Sequence, residues 1–356
     1  MNSTAQNPLL ELHKLGVSAW LDDISRGMLE DGSLERLVRD DGIAGLTSNP
    51  AIFANSMMHD PKYAQPIAQL LPTVASAMAL YEELALEDLR DAAQLLRPLY
   101  ERLDGGDGFV SMEVSPHLAY DGPASLREAK RLWGRLQLPN ALIKIPGTEA
   151  GLPVIRDLIA AGINVNVTLL FSPERYRAVV RAYIEGLKAR VAAGQPLERV
   201  ASVASFFLSR IDSAVDKQLD ALAARGQVAA RSLRGKTAIA SACRAYEIYE
   251  EIVAGADWQD LAARGARPQR LLWASTSTKD PSYSPIKYVE ELVVPNTVNT
   301  MPLETLNSYR RLGRPELRLE RHIAEASDVR EGLERLDIDL EAVAQQLERE
   351  GVTKFI

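Results

Sequence analysis

Short apolar runs recur along the chain and alternate with longer stretches of helical periodicity. The apolar runs have the length and composition of buried strands. They span residues 17–22, 43–48, 109–114, 141–146, 163–171, 200–207, 270–276 and 291–300. The stretches between them, such as 73–103 and 125–136, place apolar residues at the three-to-four-residue spacing of a helix face. The sequence therefore predicts eight strands separated by helices.

Two of the predicted helices have distinctive beginnings. The helix at 172–194 is expected to open with Ser172 as its cap, because Pro173 follows at the first helical position. Residues 235–254 fit a strand or a helix at their start, and we predict that this segment is mainly helical.

Eight strand–helix units without a Pro/Gly/Ser-rich linker predict an α/β fold, namely a single (β/α)₈ TIM barrel. An open doubly wound sheet is the alternative, but such sheets usually carry a glycine-rich phosphate fingerprint after the first strand. Residues 20–28, WLDDISRGM, have no such pattern. Residues 337–351 predict one or two additional C-terminal helices. We therefore expect one domain over residues 1–356, with residues 301–356 as its helical extension.

Period-two alternation separates a polar face from an apolar face in several of these strands. In residues 163–168, polar residues alternate with apolar ones, and the apolar face is expected to include Leu169. The helices can cover only the apolar faces, so the polar faces are expected to point into the barrel. Their polar groups lie near the C-terminal strand ends, where barrel enzymes place their chemistry. The residues expected to converge there are Asp22, Asn49, Glu113, Lys144, Asn166 and Thr168.

Lys144 is the most informative of these residues, because it interrupts the apolar run ALIKIP. Burial disfavours an ammonium group, so a lysine among apolar walls is partly present as the free amine, which can attack a carbonyl carbon. The resulting iminium is an electron sink that stabilises a carbanion formed when an adjacent carbon–carbon bond breaks. Neighbouring carboxylates can then shuttle protons to and from hydroxyl oxygens.

Each residue taken alone also fits a structural role. Lys144 could simply pair with Glu113 on the neighbouring strand. Asp22 could cap the helix that follows it, and Asp23 is an alternative to it as the functional aspartate. Asn49, like Thr47, could shape a turn before Pro50. The convergence of so many polar groups around one lysine favours a catalytic site.

Composition and charge narrow the function classes. A net charge of −7 argues against nucleic acid and anionic membrane as partners, since both require a basic surface. The single cysteine, Cys243, excludes an internal disulfide and fits a reducing cytoplasm. The N-terminal segment has no basic leader or continuous apolar core, so we expect no signal peptide and a cytoplasmic location. The four histidines have no metal-ligand spacing and there is no Walker motif, so we expect neither a metal nor another cofactor.

The sequence closely resembles the transaldolase family, in order and over nearly the whole chain. The motifs that carry the resemblance are WLD ending at Asp22, TSNP at 47–50, SMEVSP with Glu113, LIKIPGTEAG with Lys144, NVNVTLLFS with Asn166 and Thr168, and SFFLSR with Ser205 and Arg210. The lysine motif and NVTLLFS are specific, whereas the TSNP pattern alone would be weak.

The resemblance implies a reaction and a role for each residue. Lys144 would form an imine with a ketose phosphate such as sedoheptulose 7-phosphate or fructose 6-phosphate. Asp22 would take up the hydroxyl proton as the carbon–carbon bond breaks, and the dihydroxyacetone unit would pass to glyceraldehyde 3-phosphate or erythrose 4-phosphate. This reaction belongs to the non-oxidative pentose phosphate pathway. The remaining roles are a water held by Glu113 and Thr168, substrate binding by Asn49, Thr47 and Asn166, and phosphate binding by Ser205 and Arg210.

Some features are left open by the sequence. After the seventh strand the chain reads WASTSTKDPSYS, where some relatives carry a phosphate-binding arginine, and Ser275, Ser277 or Lys279 could substitute. Whether Phe206 or Phe207 shapes the sugar pocket is also open. Two other functions compete with transaldolase: a fructose-6-phosphate aldolase that releases free dihydroxyacetone, and a non-catalytic barrel that binds sugar phosphates. The protein could be a monomer or a homodimer.

Overall fold

Eight parallel strands close into a barrel in chain order, from β1 beside β2 round to β8 beside β1. The computed structural model describes residues 7–355, with side chains to residue 354. The strands are β1 (Val17–Leu21), β2 (Gly45–Leu46), β3 (Phe109–Glu113), β4 (Ala141–Pro146), β5 (Val165–Leu170), β6 (Ser202–Phe207), β7 (Arg270–Ala274) and β8 (Thr297–Met301). The predicted (β/α)₈ barrel is therefore confirmed.

Helices connect the strands and cover the outside of the barrel. They are α1 (Pro8–Lys14), α2 (Arg26–Glu30), α3 (Ser33–Asp40), α4 (Pro50–His59), α5 (Ala64–Leu70), α6 (Ala77–Arg102), α7 (Gly122–Leu136), α8 (Gly151–Ala160), α9 (Pro173–Ala192), α10 (Ser209–Ala224), α11 (Val228–Leu233), α12 (Thr237–Val253), α13 (Ala256–Ala263), α14 (Lys287–Glu290), α15 (Leu303–Leu312), α16 (Leu319–Glu334) and α17 (Leu340–Phe355). The ambiguous segment at 235–254 is helical, and Ser172 caps α9 by accepting a hydrogen bond from the amide of Arg175.

The eighth strand is shorter than the sequence predicts. Residues 287–290 form α14, and the strand begins only at Thr297. Pro295 has no amide hydrogen to donate to a ladder, and Asn296 adopts a positive φ of 61°, so neither residue continues a strand. The apolar residues Leu292, Val293 and Val294 are buried in the connection before the strand, which explains why they resemble one.

After β8, α15 completes the barrel, and α16 and α17 are the additional C-terminal helices. Residues 1–6 and 356 lie outside the described residues, including part of the N-terminal segment in which no signal peptide is expected. The expectation of one domain over residues 1–356, with 301–356 as its extension, stays a prediction. Within residues 7–355, no helix is both long and apolar enough to cross a membrane.

A tryptophan side chain fills the N-terminal end of the barrel interior, which we call the floor of the barrel. Trp20 is completely buried, and its indole NH donates a hydrogen bond of 2.8 Å to Asp107. Gly45 on β2 leaves room for the indole, because a Cβ there would lie 2.4 Å from the nearest ring carbon. Trp20 thus closes the N-terminal part of the barrel and leaves the C-terminal end for other groups.

The period-two alternation of β5 stops at Leu169. The sequence predicts that this residue continues the apolar face formed by Val165 and Val167, and it does not. Its φ is 60°, and the pairing of β5 with β6 shifts register between Val167 and Leu170. A Cβ on Gly351 of α17 would lie 2.9 Å from the Leu169 side chain, so Leu169 packs against α17. Glu341 of α17 also accepts a hydrogen bond of 2.6 Å from Ser172. The last helix therefore runs along the C-terminal end of the barrel, next to the predicted site.

Candidate active site

The C-terminal ends of the strands surround a cavity of about 160 Å³. It is lined by Asp22, Thr47, Asn49, Lys144, Thr168, Ser205, Phe207, Arg210, Ala274, Ser275, Ser277, Lys279, Thr300 and Pro302. All the predicted site residues except Glu113 and Asn166 are in this lining. A larger cavity of about 630 Å³ lies beside the connection between α16 and α17 and contains none of them. The chemistry of the lining, rather than cavity size, therefore identifies the candidate site.

Lys144 lies deep in this cavity and is only 5% exposed. Its Nζ is 3.0 Å from Oε2 of Glu113, and it donates a hydrogen bond of 3.2 Å to the carbonyl oxygen of Ser48. The register of the barrel explains the first contact, because Lys144 pairs with Glu113 on one side and with Asn166 on the other. The ion pair considered from the sequence is therefore real; its lysine lines the cavity that collects the other polar groups, and its glutamate lies behind that lining.

Glu113 is buried as well, with 2% of its side chain exposed against 6% of the side chain of Lys144. Burial raises the pKa of its carboxyl group, although the positive charge of Lys144 opposes the shift. Among the described residues, neither Oε1 of Glu113 nor Oγ1 of Thr168 has a hydrogen-bonding partner. Two buried polar atoms of this kind flank the lysine, on the strands to either side of β4, and both can bind a small polar group.

Asp22 enters the cavity from the end of β1. Its carboxylate accepts a hydrogen bond of 2.6 Å from Oγ1 of Thr47. Burial raises its pKa, and Lys144 and the hydrogen bond from Thr47 oppose this shift. Asp22 is surrounded by protein, but it keeps partial exposure to solvent because it faces the cavity.

The geometry distinguishes Asp22 from its neighbour Asp23. Asp22 lines the cavity, whereas Asp23 is not part of the lining. The capping role considered for Asp22 is wrong, because Ser25 caps α2 through its hydrogen bond with the amide of Met28. Of the two aspartates, Asp22 is thus the one that faces the cavity.

The two asparagines occupy different layers. Asn49 lines the cavity and also caps α4, since its side-chain oxygen accepts a hydrogen bond of 2.9 Å from the amide of Ile52. Asn166 is completely buried beneath the lining: its Nδ2 donates to Oγ of Ser111 at 3.1 Å, and its Oδ1 accepts from Oγ of Ser205 at 2.7 Å. Asn166 therefore orients Ser205, whose side chain reaches the cavity.

Two cations lie on the far side of the cavity. Arg210 is the second residue of α10, and its guanidinium lies 5.6 Å from the centre of the Phe207 ring. Lys279 follows β7, and its Nζ donates a hydrogen bond of 2.9 Å to Oγ of Ser277. Burial lowers the pKa of Lys279, and the charges of Lys354 and Arg210 lower it further. Mutual repulsion between cations is relieved when an anion binds between them.

Arg210 does not cap a helix. The helix starts at Ser209, so Arg210 lies in its first turn, where the helix dipole is positive. Asp212 is buried and accepts hydrogen bonds from Lys287 at 2.8 Å and Tyr288 at 2.6 Å. Arg210 therefore lines the cavity from within the first turn of α10.

Ser275 has an unusual backbone conformation at the edge of the cavity. Its φ is 54°, in the left-handed region that residues with a side chain rarely occupy. Its Oγ lies 2.9 Å from Oγ of Ser209, and its carbonyl oxygen accepts from the amide of Ser209 at 3.2 Å. The segment after β7 is thus fastened to the start of α10, which brings Ser275, Ser277 and Lys279 to the same cavity as Arg210.

Of the two phenylalanines left open by the sequence, only Phe207 lines the cavity, and Thr300 is a polar lining residue that sequence reasoning missed. Phe207 faces the cavity, whereas Phe206 packs edge-on against Trp273 with ring centres 6.3 Å apart. Thr300 at the end of β8 lines the cavity, and its Oγ1 lies 2.6 Å from Oγ1 of Thr47. Its position as the last polar residue of the predicted eighth strand is the signal that could have identified it.

Comparison with known proteins identifies the family to which this chain is similar. The family model described as Transaldolase/Fructose-6-phosphate aldolase matches residues 19–356. A transaldolase of Thiobacillus denitrificans is 47% identical over 345 residues, covering 97% of this chain and 95% of that protein. A protein named Transaldolase 2 from a Nostoc species is 46% identical over 364 residues, covering 99% of this chain and 94% of its own. The chain therefore belongs to the transaldolase/fructose-6-phosphate aldolase family.

Proposed function

We propose that this protein is a transaldolase that transfers a dihydroxyacetone unit from a ketose phosphate to an aldose phosphate through an imine on Lys144. The observation that carries the proposal is the buried Lys144 beside Glu113, in a cavity that also presents Asp22 and two cations. The donors are ketose phosphates such as sedoheptulose 7-phosphate and fructose 6-phosphate. The acceptors are aldose phosphates such as glyceraldehyde 3-phosphate and erythrose 4-phosphate.

Imine formation starts with a proton transfer between neighbours. The ammonium of Lys144 gives a proton to Glu113, whose carboxyl has a burial-raised pKa and so accepts a proton more readily than an ordinary glutamate. The free amine attacks the C2 carbonyl of the ketose. The protonated Glu113 then donates to the C2 hydroxyl, which leaves as water. The hydroxyl of Thr168, which has no hydrogen-bonding partner within residues 7–354, holds this water together with Glu113.

Bond cleavage needs a base on the opposite side of the lysine. Asp22 takes the proton of the C4 hydroxyl, the C3–C4 bond breaks, and its electron pair moves to the iminium nitrogen to form an enamine. The C4 oxygen becomes the carbonyl of the departing aldose phosphate. The enamine then attacks an acceptor aldehyde by the reverse steps, and hydrolysis of the new iminium consumes the water. Asn49 and Thr47 bind the three-carbon unit during the exchange, and Asn166 orients Ser205 by accepting its hydroxyl hydrogen bond.

The phosphate of the substrate binds at the cationic side of the cavity. Arg210 can donate two parallel hydrogen bonds to phosphate oxygens, and Lys279 adds a point charge. Hydroxyl groups of Ser205, Ser275 and Ser277 line the same region and can donate further bonds. This arrangement supplies local positive charge in a protein whose net charge is −7.

The competing activities differ in one measurable way each. A fructose-6-phosphate aldolase would use the same lysine but release free dihydroxyacetone, and the helical extension after β8 favours transfer instead. A non-catalytic barrel would bind sugar phosphates without forming an imine.

The same proposal includes a cytoplasmic location, which rests on the single Cys243. It also includes a monomeric or homodimeric state.

Imine trapping tests the proposal. Borohydride reduction with fructose 6-phosphate should attach a three-carbon unit to Lys144, detected by peptide mass spectrometry. Product formation measured with and without erythrose 4-phosphate then separates transfer from release, because a transferase needs the acceptor for turnover. Labelling of a different lysine, or no labelling at all, would contradict the assignment.

A further inference from the structure

A chain of two threonine hydroxyls leads from β8 to the carboxylate of Asp22. Oγ1 of Thr300 is 2.6 Å from Oγ1 of Thr47, which is 2.6 Å from Oδ1 of Asp22. Both threonines are buried, with Thr47 3% and Thr300 2% exposed. These distances are typical of good O–H···O hydrogen bonds.

The direction of the hydrogen bonds follows from proton counting. A threonine hydroxyl has one proton, and an ionised carboxylate can only accept. When Asp22 is ionised, Thr47 must donate to Asp22, so Thr300 must be the donor to Thr47. When Asp22 is protonated, it can donate to Thr47, and Thr47 can donate to Thr300. The chain therefore has two self-consistent polarities, one for each protonation state of Asp22.

We propose that Thr300 is a positioning residue that acts through Thr47 to orient Asp22 and to stabilise its ionised form. This inference rests on the proposed role of Asp22 as the base for bond cleavage. A hydroxyl that receives a hydrogen bond is a stronger donor, so donation by Thr300 strengthens the bond from Thr47 to the carboxylate. The reversed polarity accommodates Asp22 after it has taken a proton.

Backbone hydrogen bonds fix the positions of the three residues that form this hydroxyl chain. Thr300 is fixed through its carbonyl oxygen, which accepts a hydrogen bond of 2.8 Å from Oγ1 of Thr276 after β7. The amide of Asp22 donates to the carbonyl of Met301 at 2.8 Å, and the amide of Thr47 donates to the carbonyl of Leu21 at 2.9 Å. Strands β8, β1 and β2 are consecutive neighbours, so the three side chains remain in register.

Other charges also act on Asp22 and must be held constant in any test. Lys144 on β4 and Lys279 after β7 both favour its ionised form. Glu113 on β3 and the adjacent Asp23 each interact unfavourably with its negative charge. None of these groups is altered by a substitution at Thr300, so a change in the titration of Asp22 reports on the hydroxyl chain.

The test compares Thr300→Val with Thr300→Ser and with Thr297→Val as a matched control. Thr297 is also buried on β8, but its hydroxyl bonds to the carbonyl of Val294, away from the cavity. Titration of a ¹³C-labelled Asp22 carboxyl, assigned by its loss in Asp22→Asn, is measured in each variant. Thr300→Val should raise the apparent pKa of Asp22 by about 0.3–1 unit, Thr300→Ser should restore it, and Thr297→Val should leave it unchanged.

Kinetics provide the second readout. Thr300→Val should lower kcat about three- to tenfold with little change in KM, and the acid limb of the pH profile should move upward with the titration of Asp22. Thr300→Ala removes the same hydroxyl and replaces Thr300→Val if that variant does not fold. An unshifted titration in both hydroxyl-free variants, or failure of Thr300→Ser to restore it, would overturn the inference. A shifted titration in a protein without transferase activity would instead refute the proposed function and leave the hydroxyl chain standing.

Discussion

The ammonium of Lys144 lies 3.0 Å from the carboxylate of Glu113, on directly paired positions of neighbouring strands. Both groups are almost completely buried, so solvent and salt screen their attraction only weakly. The same pair also places a proton acceptor next to an amine that must lose a proton before it can react. A single contact thus explains how a charged lysine is tolerated in the barrel, and in the proposed mechanism it also turns the lysine into a nucleophile.

Replacing the lysine should separate these two roles. Lys144→Met should abolish both the borohydride-trapped adduct and turnover. It should also lower the free energy of unfolding by about 3 kcal/mol at neutral pH, because Glu113 is left buried without its partner. The double variant Lys144→Met/Glu113→Gln should remain inactive but recover most of the stability. Denaturant unfolding checks this, and equal stability of the single and double variants would show that the pair has no structural role.

The two neighbouring aspartates should behave differently. Asp22→Ala should still form the imine from a ketose phosphate but should lose about 10²–10⁴-fold in the rate of aldehyde release, the usual effect of removing a general base. Asp23→Ala should stay within a few-fold of the unmodified rate, since Asp23 does not line the cavity. Rapid-quench trapping of the imine distinguishes the steps. An Asp23→Ala protein that stalls after imine formation would assign the base to Asp23.

Arg210 should determine affinity for phosphate. Arg210→Ala should raise KM for phosphorylated substrates about 10–100-fold, as expected for loss of charge-assisted hydrogen bonds, and should leave the reaction of unphosphorylated dihydroxyacetone nearly unchanged. Arg210→Lys should recover only part of the loss, because a point charge lacks the planar fork. Lys279→Met serves as the comparison. If only Lys279→Met raises KM, the phosphate binds at the lysine side of the cavity.

The burial of Asp22 predicts a pH-dependent effect on stability. Its pKa is raised above the ordinary value of 3.8, so the folded state holds this proton more tightly than the unfolded state. The ionised carboxylate therefore destabilises the fold above its folded pKa, and this effect disappears below about pH 3.8. Asp22→Asn should consequently raise the thermal midpoint at pH 7 and have little effect near pH 3.5. A gain that persists undiminished at pH 3.5 would point to a cause other than titration of Asp22.

The floor of the barrel offers a test of packing alone. Gly45→Ala should destabilise the fold by about 1–3 kcal/mol, because the new methyl group would overlap the buried ring of Trp20. Gly134→Ala is the matched control: this helical glycine has no neighbour within 4 Å of the added Cβ, so alanine should stabilise the protein by about 0.5–1 kcal/mol. Chemical denaturation of the two variants measures the difference. Stabilisation by Gly45→Ala would show that Trp20 does not need the glycine.

The sequence by itself determined the barrel and most of its polar interior. Each strand of a closed parallel barrel has one face covered by the outer helices and one face directed into the barrel interior. Successive side chains therefore alternate between the two faces, and a period-two pattern in the sequence assigns each side chain to one of them. This is why Lys144, Glu113 and Asp22 could be placed together from the pattern of their strands. The alternation failed at Leu169, where a register shift in β5 turns the side chain towards α17. The pattern around residue 169 contains no signal for such a bulge.

Contacts between distant parts of the chain were decided only by the tertiary structure. Closure of the barrel places Thr300 beside Thr47, and the fastening of Ser275 to Ser209 brings Lys279 near Arg210. The choice between Asp22 and Asp23 likewise depended on the exact direction of the chain after β1. Local patterns report which face of an element is buried, because that depends on neighbours along the chain. Which side chains meet across the barrel mouth depends on strand register and loop conformation, and these are fixed only when all eight strands pack together.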